Sequence, residues 1–121
     1  GNTRSDNNLY MNGPEIFSFT IDAVPTLLKS VLEKNQMNID EVDYFIFHQA
    51  NKFMLNYLRD KIGIPSEKFY INLEKIGNTV SSTIPIALLD AMNKNLVKRG
   101  DKILLCGFGV GYSWGAVIIR I

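Results

Sequence analysis

The four residues Tyr44-Phe45-Ile46-Phe47 form an uninterrupted apolar run, and the next four, His48-Gln49-Ala50-Asn51, open with the chain's one histidine. A strand with one face in water alternates apolar and polar side chains, whereas a run without polar members fits a strand covered on both faces. Such a strand needs layers packed on either side of it. A polar cluster at its carboxyl end stands where open α/β sheets usually present their chemistry.

The flanking pattern supplies the helices. Gly13-Pro14-Glu15 reads as a helix start, with proline tolerated in the first turn and a carboxylate facing the positive end of the helix dipole. Val24, Leu27, Leu28, Val31 and Leu32 follow as an apolar stripe at helical spacing. Pro25 lies within it, removes one backbone donor and is expected to kink a single helix. A second helix over about 52–61 turns Met54, Tyr57 and Leu58 inward and stops at Gly63 and Pro65. A short extended piece near Phe69-Ile71 precedes a third helix, capped within Thr79–Thr83 and ending before Gly100, with Leu88, Leu89, Met92 and Leu96 on one face. Strands are expected at Lys102–Cys106 and Ala116–Ile121, joined by a glycine-spaced loop. Residues 1–13 are Asn-rich and aperiodic and read as a connecting arm, with an extended piece at Leu9-Tyr10-Met11, ahead of a domain spanning 14–121. The resulting fold class is α/β, a mixed sheet with helices packed on it.

Besides His48, two stations carry chemistry: Gly77-Asn78-Thr79 before a helix, and Gly107-Phe108-Gly109-Val110-Gly111 between two strands. Alone, each has an ordinary reading. A single histidine is often structural, Gly-Asn-Thr is a common turn or cap, and alternating glycines suit a hairpin with a bulge. The glycines do not make a dinucleotide fingerprint, because a strand rather than a helix follows them. Together, His-Gln-Ala-Asn, Gly-Asn-Thr and Gly-Phe-Gly-Val-Gly-Tyr-Ser-Trp-Gly resemble the C-terminal half of ketoacyl-acyl-carrier-protein synthase III, a thiolase-fold condensing enzyme, from about Leu9 to Ile121.

The resemblance implies a thiolase-like C-terminal half, with the acyl-accepting cysteine in an N-terminal half of the same enzyme and a homodimer as the whole. It implies acyl-CoA and malonyl carrier protein as substrates, decarboxylative condensation in fatty acid biosynthesis, and no metal or cofactor. His48 and Asn78 would be catalytic, sharing the thioester carbonyl as hydrogen-bond donors while carbon dioxide leaves. Phe108, Gly109 and Val110 would form the oxyanion or active-site loop; Val110 matches a backbone donor position where many family members have glycine. Asn51 would help hold the pantetheine arm. Lys52 and Arg59 share roughly one helix face and would meet a carrier, although Phe53 stands where many members have a basic residue. Two rival functions remain: a thiolase-fold acyltransferase to an alcohol or amine, and a noncatalytic dimerisation half.

Bulk properties restrict the partners. A net charge of +1 with interspersed signs offers no general attraction to nucleic acid or a membrane surface. No apolar run approaches the ~20 residues that span a bilayer, and the first residues lack a signal-peptide pattern, so the chain reads as cytoplasmic. The single Cys106 cannot form an intrachain disulfide and reads as a small buried hydrophobe. The polar start at Gly1 suggests a piece of something longer.

Overall fold

The computed structural model describes residues 5–121. Helix α1 runs Gly13–Lys34, strand β1 Tyr44–Phe47, helix α2 Lys52–Ile62, short helix α3 Leu73–Ile76, helix α4 Thr83–Asn93, strand β2 Lys102–Gly109 and strand β3 Ser113–Arg120. The strands form one sheet in the order β1-β2-β3. β1 runs parallel to β2 and β2 antiparallel to β3, so the sheet is mixed.

All four side chains of β1 are buried. Phe45 and Phe47 enter one core with Val24, Leu28 and Val31 of α1 and Met54, Leu55 and Leu58 of α2. Tyr44 and Ile46 enter a second core with Ala87 and Ala91 of α4 and Ile103 of β2. The period-two alternation of a strand thus sends neighbouring apolar residues into opposite layers, which explains why the run has no polar member.

Helix α1 begins where Asn12 Oδ1 accepts from Glu15 N at 3.3 Å. It ends with Gln36 at φ +53°, Gln36 N donating to Glu33 O and Met37 N to Leu32 O, a left-handed C-terminal cap. Pro25 lies inside the one helix. Because proline has no N–H, the Ile21 carbonyl one turn earlier lacks its helical donor, and Lys61 Nζ of α2 donates to it at 2.8 Å.

Several boundaries differ from expectation. In α2 the buried side chains are Met54, Leu55 and Leu58. Tyr57 is 40% exposed, on the flank of that face, where its ring meets Phe17 edge-on. The third expected helix divides into a 3-10 turn at Val80–Ser82 and α4. α4 stops at Asn93 rather than before Gly100, because Asn95 takes the left-handed cap position at φ +57° and Leu96 N closes back on Ala91 O at 2.9 Å. Its buried face is Thr83, Ala87 and Ala91, while Leu89, Met92 and Leu96 are exposed. Two alanines let the helix lie close to the sheet, and large residues on the other side are left outside. Strands β2 and β3 extend through the glycine segment, pairing Gly107 with Gly115, Phe108 with Trp114 and Gly109 with Ser113. Cys106 is therefore mid-strand, not terminal.

The extended piece near Phe69 forms a single parallel bridge to Phe45, with Tyr70 N donating to Phe45 O at 3.1 Å. Residues 1–4 of the expected arm lie outside the described residues; residues 5–12 form no helix or strand, and Leu9, Tyr10 and Met11 are exposed. Among the described residues no helix is long and apolar enough to cross a membrane.

Candidate active site

His48 leaves β1 with its backbone still in register: His48 N donates to Cys106 O at 2.8 Å. The turn behind it is held by Gln49, which is buried and fully engaged. Its Nε2 donates to Phe47 O at 2.8 Å and Tyr70 O at 3.2 Å, and its Oε1 accepts from Asn72 N at 3.0 Å. That amide ties the strand end to the neighbouring segment, so the histidine stands on a braced turn rather than a free loop.

The His48 ring is half-buried. Nδ1 lies 2.6 Å from Thr83 Oγ1, the first residue of α4, and the ring meets Phe108 edge-on with centroids 5.5 Å apart. Burial lowers its pKa from the ordinary 6.5, and the nearby Val80 carbonyl opposes that shift only in part. The imidazole is therefore neutral at pH 7.

A cleft of about 460 Å³ opens beside it, lined by His48, Val80, Thr83, Phe108, Val110 and Trp114 among others. Gly107 and Gly109 also reach it, so all three residues expected in the glycine segment, Phe108, Gly109 and Val110, border the same space as His48. Only Val110 belongs to the turn; Phe108 and Gly109 are strand residues. The expected loop is a tight hairpin because the strands continue pairing until they meet. The turn requires its last glycine: Gly111 has φ +141°, and a Cβ there would press to 3.1 Å from Ser113 N.

Asn78 is placed differently. Its Oδ1 accepts from Val80 N at 2.9 Å, and its Nδ2 donates to Ala50 O at 3.4 Å. The side chain thus bridges to the turn two residues past His48 and is not among the residues lining the cleft. Its backbone setting is special: Gly77 has φ +72°, and Val80, a β-branched residue, is held at φ +57°. A left-handed valine costs on the order of 1–3 kcal/mol, and such strain gathers at functional sites.

The remaining candidates carry structural bonds. Asn51 Oδ1 accepts from Met54 N at 2.8 Å and caps α2. Lys52 pairs with Glu74 at 2.9 Å and Arg59 with Asp60 at 2.8 Å. Each basic group already holds a carboxylate, so this face presents less net charge than the helix register implies. Solvent screening keeps the exposed Lys52–Glu74 pair weak, so it yields readily to a competing anion.

Cys106 is fully buried, and burial pushes its thiol up to about 12. At pH 7 it is then held as the neutral thiol, which is not the nucleophilic form. Iodoacetamide should leave Cys106 unmodified in the folded protein and label it after denaturation, as read by mass spectrometry. Stoichiometric labelling without unfolding would reverse this assignment. Among the described residues no cluster of three or more His, Cys, Asp or Glu side chains is arranged to hold a metal ion.

Sequence reasoning met Thr83 only as a helix-cap candidate and Trp114 only within the glycine motif, and gave neither of them, nor Val80, a place in the site. Thr83 is 35 residues from His48 in the chain, and only the packing of α4 across β1 brings the two together.

Comparison with known proteins sets this geometry in a family. A family model described as 3-oxoacyl-[acyl-carrier-protein (ACP)] synthase III C terminal matches residues 32–121. A beta-ketoacyl-[acyl-carrier-protein] synthase III of Clostridium perfringens is 41% identical over 121 residues, covering 100% of this chain and 37% of that protein. A 2.1 Å crystal structure of a 3-oxoacyl-(acyl-carrier-protein) synthase III superposes with TM-score 0.95 at 43% identity, over 100% of this chain and 36% of that one. The Aquifex aeolicus 3-oxoacyl-[acyl-carrier-protein] synthase III gives TM-score 0.91 at 41% identity, over 97% of this chain and 39% of its own. The chain thus spans a little over a third of the length of the relatives it matches.

Proposed function

Because this chain belongs to the 3-oxoacyl-[acyl-carrier-protein] synthase III family, as its C-terminal part, we propose that it forms the decarboxylating half of a condensing enzyme. In this reading a cysteine in the N-terminal half takes an acyl group from acyl-CoA. Malonyl carrier protein then enters, and its thioester carbonyl receives hydrogen bonds from His48 and Asn78. Those donors stabilise the enolate left as carbon dioxide departs. The enolate attacks the acyl thioester, the cysteine leaves, and a 3-oxoacyl thioester is released. The whole would act in fatty acid biosynthesis as a cytoplasmic homodimer.

The observation that carries this reading is His48, neutral, braced at the carboxyl end of β1 and bordering an apolar cleft with Phe108, Gly109 and Val110. Burial of Cys106 supports a nucleophile supplied from elsewhere. The Asn78 Nδ2 contact with Ala50 O, at 3.4 Å, is longer than the usual hydrogen-bond range, so Nδ2 is the weakly held end of the amide and the one that would seek a substrate oxygen, while Oδ1 is held by Val80 N at 2.9 Å. Lys52 and Arg59 would exchange their carboxylate partners for an acidic carrier surface, and Asn51, whose Nδ2 is not used in the cap, would meet the pantetheine arm.

The test joins this region to its N-terminal half and supplies acyl-CoA with carboxyl-labelled malonyl carrier protein. Release of labelled carbon dioxide in step with a 3-oxoacyl product is expected. Acyl transfer to an alcohol or amine without carbon dioxide release would replace the condensing reading by an acyltransferase. No acyl turnover of either kind would leave a dimerisation half.

A further inference from the structure

Helix α4 lies on the sheet through Ala87 and Ala91, both fully buried, while Ile84 and Leu88 pack on the same core only in part. Small side chains let a helix approach closely, but apolar burial is non-directional and gives such a face little grip along its axis. Among the described residues, the side-chain hydrogen bonds that join α4 to other elements lie at its two ends. At the start, Thr83 Oγ1 meets His48 Nδ1 at 2.6 Å. At the far end the Tyr70 hydroxyl donates to Asp90 Oδ2 and accepts from Lys94 Nζ at 3.1 Å, and Lys94 pairs with Asp90 at 3.0 Å. Tyr70 is buried. Its burial and the Asp90 carboxylate raise the phenol's pKa above the ordinary 10.0, so at pH 7 it keeps the proton it donates.

We propose that Tyr70 is a positioning residue whose hydroxyl, by gripping Asp90 and Lys94, sets the axial position of α4 and so fixes where Thr83 meets His48 at the opposite end of the helix. The main chain of Tyr70 is already registered to β1. Its N–H donates to Phe45 O at 3.1 Å, and its carbonyl accepts from Gln49 Nε2 at 3.2 Å. Gln49 in turn braces the turn that carries His48. One residue thus holds the strand end with its backbone and the helix with its side chain. Asp90 stands two turns from Thr83, roughly 10 Å at 1.5 Å per residue. A hydrogen-bonded helix of this length moves as a rod, so a slip at the latched end reappears in full at Thr83. A slip of about 1 Å would stretch the contact to the ring beyond hydrogen-bond range and let water reach its buried side. Misplacements of that size at a reacting centre cost up to ~10²-fold in rate. The latch itself is geometry, and its effect on turnover rests on the condensing reading.

The test uses the enzyme in which this region is joined to its N-terminal half, labelled with 15N-histidine, with His48 assigned by its absence in His48→Ala. Tyr70→Phe removes the hydroxyl and keeps the ring, and Asp90→Ala removes its partner at a partly exposed position. In each, the His48 pKa is expected to rise from its lowered value toward 6.5 as water reaches the ring. Decarboxylation kcat should fall roughly 10-fold, with KM for the malonyl thioester within about threefold. Because both changes open one latch, the double variant should lose no more than either alone. Val97→Ala loosens the same core layer without touching a polar contact. It should lower the urea midpoint and leave the His48 titration and kcat as in the wild type. An unchanged His48 titration in folded Tyr70→Phe or Asp90→Ala would overturn the proposal. So would an equal shift in Val97→Ala, additive losses in the double variant, or a shifted titration with wild-type kcat. If the titration moved as expected but the wild type released no carbon dioxide, the condensing reading would fail while the latch stood.

Discussion

Replacing His48 with alanine in the joined enzyme is expected to slow malonyl decarboxylation by roughly 10²–10³-fold, the usual loss when one preorganised donor to a developing oxyanion is removed. The ring is fixed from two sides, by Thr83 at Nδ1 and by the edge of Phe108. It therefore needs little reorganisation when charge appears on the carbonyl. Acyl transfer from CoA to the N-terminal cysteine should fall much less. Asn78→Ala should cost less than His48→Ala, because Asn78 begins engaged with Ala50 and Val80 and must turn to take part. If both donors serve one oxygen, the double variant loses less than the product of the single effects. His48→Ala should also flatten the acid side of the stability profile. Burial lowers the folded pKa below 6.5, so the unfolded chain binds the proton first. The contribution is whole above 6.5 and is lost as pH falls below it toward the folded value. Equal losses in decarboxylation and in acylation would refute the assigned role.

Phe47→Ala should destabilise the protein by about 3–5 kcal/mol, the range for an aromatic removed from a close-packed core. Phe47 is fully buried, and its ring meets Phe69 edge-on with centroids 4.9 Å apart. It occupies the core shared with α1 and α2. Against a typical total of about 5–15 kcal/mol, such a loss shifts the urea midpoint far to lower concentration. Because Phe47 immediately precedes His48, activity should also fall at denaturant concentrations where the wild type is still folded. Phe47→Leu keeps most of the volume and should cost well under half as much. A midpoint unchanged in Phe47→Ala would mean that the core closes over the gap without penalty, contrary to the packing seen here.

The sequence was legible wherever a local pattern has one physical solution. A short unbroken apolar tetrad followed by a polar cluster fits a strand covered on both sides, and β1 is one, with Tyr44–Phe47 as its bounds. A capped stripe with one apolar face has to lay that face on the sheet, and α1 does so through Val24, Leu28 and Val31. Cys106, small and set among apolar neighbours, is buried. The pattern failed where it has two solutions. α4 is apolar nearly all round, so helical periodicity alone chose the side of Leu88, Leu89, Met92 and Leu96; of these Leu88 packs on the core, and the fully buried positions are Ala87 and Ala91, which allow the closer approach. The glycine segment fitted either a loop or paired strands, and the register of β2 with β3 decided for strands up to Gly109.

Site residues divide in the same way. His48 and Phe108 end or border strands, and strand direction carries them to one edge. The partners that give those residues their chemical state come from elsewhere in the chain. Thr83 reaches the imidazole across 35 residues, Asn78 ties to Ala50 across 28, and Lys52 meets Glu74 across 22. None of these contacts has a local signature, because each needs two groups distant in the chain set about 3 Å apart, to within a few tenths of an ångström, and only the tertiary fold does that. Local chemistry thus names the histidine, and tertiary packing decides which groups its ring meets.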